Sequence, residues 1–89
     1  MKNLKDLLKN NKQVWFKIED DRNQKIAFLN WAKQNNCKWS GGVIEPEKDL
    51  CGSFMGIDSN LVLGHVGGHC WFEAINPPQK INFKELMGE

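Results

Sequence analysis

The sequence predicts an α+β fold: one main helix packed on a largely antiparallel sheet of about five strands, with a short helix at the N-terminus. Three observations predict it. Helical periodicity ends before Cys37. Beyond Cys37, apolar residues alternate or run in short blocks bounded by glycine, asparagine and proline. The helical and extended segments are segregated along the chain, which favours helices laid on one face of an antiparallel sheet. A length of 89 residues with 40% hydrophobic content suits a single domain, 1–89, with one small core.

The elements follow in order. Leu4, Leu7 and Leu8 keep helical spacing between Asn3 and Asn10, a short amphipathic helix. Val14–Ile18 alternates, with Val14, Phe16 and Ile18 on one face and Trp15 and Lys17 on the other. Glu19, Asp20 and Asp21 supply a cap and favourable charge for the main helix, expected from Arg22 to Asn35 and ended by Asn36. Ile26, Phe28, Leu29 and Ala32 share its apolar arc. Trp31 projects with Gln24, Ala27, Gln34 and Asn35, so it is either covered by the first helix or an exposed anchor. Cys37 to Trp39 is extended, Ser40–Gly42 is a turn, and Val43–Ile44 continues a strand. Glu45 to Asp49 forms a solvated loop. Ser53–Ile57 and Leu61–Val66 form a hairpin about Asp58–Asn60. Gly67 and Gly68 then lead into a strand at His69–Ile75, stopped by Asn76, Pro77 and Pro78. Lys80–Phe83 is the last strand.

Composition narrows the function classes. The formal net charge of +1 predicts no general attraction to nucleic acid or anionic membrane. A local basic segment, Lys2 to Lys17, is the exception. No apolar run approaches the ~20 residues of a membrane span, and the N-terminus lacks a secretory apolar region. Three unpatterned cysteines suit reduced thiols, so the expected compartment is the cytoplasm. Cys37, Cys51, His65, His69 and Cys70 are the conceivable metal ligands. Their spacing contains no C-x-x-C pair, and no metal or other cofactor is expected. Cysteine–histidine catalysis lacks a helix-start cysteine or a glycine elbow, so no catalytic residue is assigned and the protein is read as a non-enzyme.

Two surfaces remain. Four tryptophans in so short a chain exceed what a small core needs. If Phe16 and Phe72 face the helix, Trp15 and Trp71 share the opposite sheet face. Such a face is covered by another subunit or used for binding. Trp15, Trp31, Trp71 and Lys17 are therefore the candidate partner-binding residues, and a homo-oligomer is one expectation. The second surface combines Trp39, Gly41, Gly42, His65, Gly67, Gly68 and His69, where glycine amides cradle an anion and an aromatic ring stacks on a base. Tight hairpin turns explain the same glycines.

Val14–Ile18, Ile26–Ala32, the Lys38–Gly42 turn of K-W-x-x-G type and the closing Ile81–Leu86 segment of I-x-F-x-x-L type together resemble small proteins encoded by phages and prophages of Gram-positive bacteria. The longer loop Glu45–Gly52 and the Gly-His pairs depart from that pattern. The resemblance implies an accessory protein of a mobile element, acting in the host cytoplasm to inhibit a bacterial defence system. It does so either by docking on a host defence protein or by sequestering a cyclic or other signal nucleotide. A small nucleic-acid- or metal-binding regulator is a further alternative.

Overall fold

Leucine spacing turns Leu4–Leu8 into α1, which buries Leu4 and Leu7. The structure, a computed structural model, describes residues 4–9 and 11–88. Asn3 and Asn10, the expected limits of α1, lie outside the described residues, as does Lys2. In β1 (Gln13–Lys17), strict alternation buries Val14 and Phe16, and Ile18 follows them into the core. The main helix α2 (Arg22–Gln34) opens at Asp21, whose carboxylate accepts the Asn23 backbone N–H at 3.0 Å. It is followed by Asn36 at φ +66°, a left-handed conformation that asparagine tolerates.

The remaining elements are β2 (Lys38–Trp39), β3 (Phe54–Asp58), β4 (Val62–His65), α3 (Gly68–Glu73), β5 (Gln79–Asn82) and α4 (Phe83–Leu86). The β3–β4 turn is organised by Asp58, whose side chain accepts the N–H groups of Asn60 and Val62 at 2.8 and 3.1 Å. Val43 and Ile44 do not extend β2. A bridge between Trp39 and Gly42 closes the turn, after which Ile44 enters the core and Val43 stays exposed.

The five strands lie in the order β2-β4-β3-β1-β5. β3 is antiparallel to β1 and β4, whereas β5 is parallel to β1 and β2 is parallel to β4. The central strand therefore runs against the other four, and the sheet is mixed where antiparallel pairing was expected to dominate. The physical consequence is topological: parallel strands need a crossover over a sheet face, which no hairpin can supply. α2 makes that crossover between β1 and β2 on one face. The connection from β4 to β5, which contains α3, makes it on the other.

The core lies between α2 and the sheet and includes Leu4, Val14, Phe16, Phe28, Ile57 and Phe83. Trp31 belongs to it, which corrects the expectation of an exposed partner-binding anchor. Its ring lies 5.4 Å from that of Phe16, 6.0 Å from Phe28 and 5.8 Å from Phe83. Phe83 closes this cluster from the far end of the chain. It does so from α4, because Asn82 caps a helix at the point where the last strand was expected to continue.

Candidate functional site

On the sheet face away from α2, the β1 register sets Trp15 opposite Gly56 on one side and Lys80 on the other. Lys17 lies opposite Phe54 and Asn82 on the same face. Gly56 gives this arrangement its close fit. A Cβ at that position would sit 3.2 Å from both Trp15 Cδ1 and Val66 Cγ2, so the indole rests on bare backbone.

α3 is laid over this bed. Its Trp71 N–H donates to the Gly67 carbonyl at 2.9 Å, and the Ala74 N–H to that of Cys70 at 3.0 Å. The Trp71 ring stacks on Trp15 at 6.1 Å and 26°, and packs on Phe54 at 4.9 Å. The Lys80 ammonium lies 5.2 Å from the Trp71 centroid, a cation–π contact. Two expectations are thereby corrected. Residues 69–75 form no strand, and Trp71 is buried at 7% exposure, so it is no open anchor for a partner. The cause is the crossover: the chain must span the sheet from β4 to β5, and docking an indole on Trp15 and Phe54 fixes that span as a helical turn. The second face is covered from within the chain.

Burying Trp71 turns its neighbours outward. Phe72 is 72% exposed, touching only the edge of Phe54 at 5.7 Å among the ring contacts of the described residues, and Ile75 is 91% exposed. A shallow depression of about 350 Å³ lies between α3 and β1, lined by Trp15, His69, Cys70, Glu73 and Ala74 and by neither Phe72 nor Ile75. His69 Nε2 and Glu73 Oε2 meet at 2.8 Å along α3. Of the expected partner-binding residues, Trp15 and Lys17 remain on this surface, Trp15 half-buried and Lys17 exposed. Phe72 and Ile75 were missed, since a strand reading of 69–75 turns Phe72 toward the core.

The residues considered for nucleotide binding fall into two groups. Trp39 stacks on His65 at 5.6 Å and 15°, and exchanges backbone hydrogen bonds with Gly42 at 2.9 and 3.2 Å. Gly41 lies in that turn. The Trp39 indole N–H donates to the Asp49 carboxylate, which also accepts the Glu45 backbone N–H at 2.7 Å. The Glu45 amide and then the Trp39 indole hold the Asp49 carboxyl below its ordinary value. Trp39 thus anchors the loop that follows it. His65 shares the α2 side of the sheet with Met55, its register partner. Gly67 and Gly68 turn the chain to the opposite face, where Gly68 packs on Phe54 and His69 pairs with Glu73.

Burial shifts two of the thiols, Cys37 and Cys51, away from the thiolate form. Burial, and then the Asp58 carboxylate, pushes Cys37 up to about 12. Burial pushes Cys51 up to about 11, against a small opposing effect of Lys25. A nucleophilic cysteine needs the opposite shift. Among the described residues, no group of three or more His, Cys, Asp or Glu side chains is placed to hold a metal ion.

No protein family, curated protein or solved structure matches the chain. The site therefore rests on its own geometry. Among the described residues no helix is long and apolar enough to cross a membrane.

Proposed function

We propose that this protein is a non-enzymatic binding protein that acts by stoichiometric occupation of a protein partner, with the α3 surface as its docking face. The observation that carries this reading is the outward pair of Phe72, on a short helix whose own anchor, Trp71, is already engaged, and Ile75, just beyond the end of that helix. Large apolar side chains on a supported platform, beside a half-buried indole and flanking lysines, have the composition of an interface centre and rim. The elevated Cys37 and Cys51 thiols speak against a thiolate nucleophile at those two positions. The resemblance to small phage and prophage proteins favours a host defence protein as the partner and its inhibition as the outcome. Nucleotide sequestration would need Trp39 and the glycines to converge, and Trp39 is committed to His65 and Asp49.

The test is co-purification from bacterial cells, read by native mass spectrometry, of the wild-type chain and a Phe72→Asp/Ile75→Asp variant. One host protein in fixed stoichiometry with the wild type, absent from the variant, is the expected result. A complex that survives both substitutions, or a retained nucleotide in place of a protein, contradicts the reading.

A further inference from the structure

We infer that the outer edge of β5 docks an extended peptide of a partner protein as a sixth strand, with aliphatic side chains on the α2 side of the sheet and acidic ones on the α3 side. The inference goes beyond the α3 reading and uses a different part of the molecule.

The two edges of the sheet are unlike. β2 is two residues long, and its Trp39 N–H and carbonyl are taken up by Gly42 at 2.9 and 3.2 Å, so the chain closes that edge itself. β5 is four residues long and, among the described residues, pairs only with β1, while no loop backbone group bonds to residues 79–82. Its backbone groups not bonded to β1 form an outward row that another extended backbone matches. The strand is held in place at its start, where the Gln79 side-chain oxygen accepts the Asn11 amide at 3.0 Å. The side chains specify what is added. Gln79 and Ile81 are the register partners of Val14 and Phe16, so they lie on the α2 side. There a depression of about 580 Å³ prolongs the core layer past β5, with Leu7, Ile81, Leu86 and Met87 as its apolar wall. Alternate side chains of a sixth strand enter this depression beside Ile81, and Glu85 in its lining disfavours a carboxylate among them. On the α3 side the exposed Lys80 ammonium lies 5.2 Å from the Trp71 centroid and, among the described residues, has no carboxylate within ion-pair distance. A cross-strand neighbour of Lys80 is therefore best acidic. Four residues of edge make the site a weak one.

The experiment is titration of the isotope-labelled full chain, followed by amide NMR, with a capped octapeptide of alternating valine and glutamate. The controls are the valine–lysine octapeptide and two N-methylated forms of the first, methylated at every valine or at every glutamate. Saturable binding of the valine–glutamate peptide is expected, with shifts centred on residues 79–82 and on Leu7, Leu86 and Met87. N-methylation removes the donors of one peptide edge, so at least one of the two methylated forms should bind about tenfold more weakly or worse. Lys80→Glu, at an exposed position, should reverse the preference to the valine–lysine peptide. Phe72→Asp/Ile75→Asp should bind the peptide as the wild type does, which separates this site from the α3 face. No saturable shift up to millimolar peptide, undiminished binding of both methylated forms, or shifts centred on α3 overturns the inference. Shifts of residues 79–82 that follow protein concentration without peptide assign the edge to a second copy and overturn it as well. In each of these cases the α3 reading stands or falls by its own co-purification test.

Discussion

Replacing Trp71 with alanine separates the α3 platform from the fold that carries it. The indole buries roughly 200 Å², and at ~25 cal/mol/Å² that surface is worth about 5 kcal/mol. Its stacking on Trp15 and packing on Phe54 add about 0.5–1.5 kcal/mol each beyond area. Large aromatic truncations in cores cost about 3–5 kcal/mol. Trp71→Ala belongs near 3 kcal/mol, because this cluster lies outside the main core and solvent fills the space vacated. The local effect is larger than the global one. Six residues are far short of the ~12 that an isolated helix needs, and no other α3 side chain is buried. Hydrogen exchange read by mass spectrometry should show the segment 66–78 losing protection while peptides from α2, β1 and β3 keep theirs. Trp71→Phe should restore part of that protection. Full protection of 66–78 in the alanine variant, or its loss in step with the α2 core, would refute the reasoning.

Four further outcomes follow from the structure. Gly56→Ala places a methyl group 3.2 Å from Trp15 and Val66, and should cost about 1–3 kcal/mol by overpacking. Indole emission should shift as Trp15 is displaced, and an unshifted spectrum with unchanged melting would contradict the close approach. In the folded chain Cys37 and Cys51 hold their protons to about 12 and 11, against an ordinary value of 9.0. Unfolded thiols ionise first, so stability should fall as pH rises past 9.0. A disulfide reagent at neutral pH should label exposed Cys70 quickly, half-buried Cys51 more slowly and buried Cys37 only on unfolding, and three equal rates would count against this order of exposure. The Asp49 carboxyl is held below its ordinary 3.8, so its contribution is present above that pH and lost as pH falls through its folded value. The melting difference between wild type and Asp49→Asn should therefore shrink in acid, and a constant difference would exclude the Asp49 anchor.

The parts of the fold legible in the sequence are those with local causes. Asp21 and Asn36 bound α2 by capping and left-handed geometry. Alternation sorts Phe16 from Trp15, and Asp58 marks the β3–β4 hairpin. What escaped the sequence has distant causes. Trp31 stands among polar neighbours on its helix and is buried against Phe16 of β1, Phe28 of its own helix and Phe83 from the other end of the chain. The parallel pairing of β5 with β1 leaves no local trace, yet it forces residues 66–78 across the sheet. Aromatic content bounded by paired glycines and prolines makes 69–75 look like a strand, while docking on Trp15 and Phe54 makes 68–73 a helix. The tryptophan face was legible as a surface needing cover. That the chain covers it itself, and thereby exposes Phe72 and Ile75, was not.

Photo-cross-linking inside cells tests the docking role of α3 most directly, with a photoreactive phenylalanine analogue placed at Phe72 and, as a control, at exposed Lys33 on α2. The account predicts one discrete host-protein adduct from position 72 and none from position 33. Discrete adducts from position 33 with none from position 72 would contradict it.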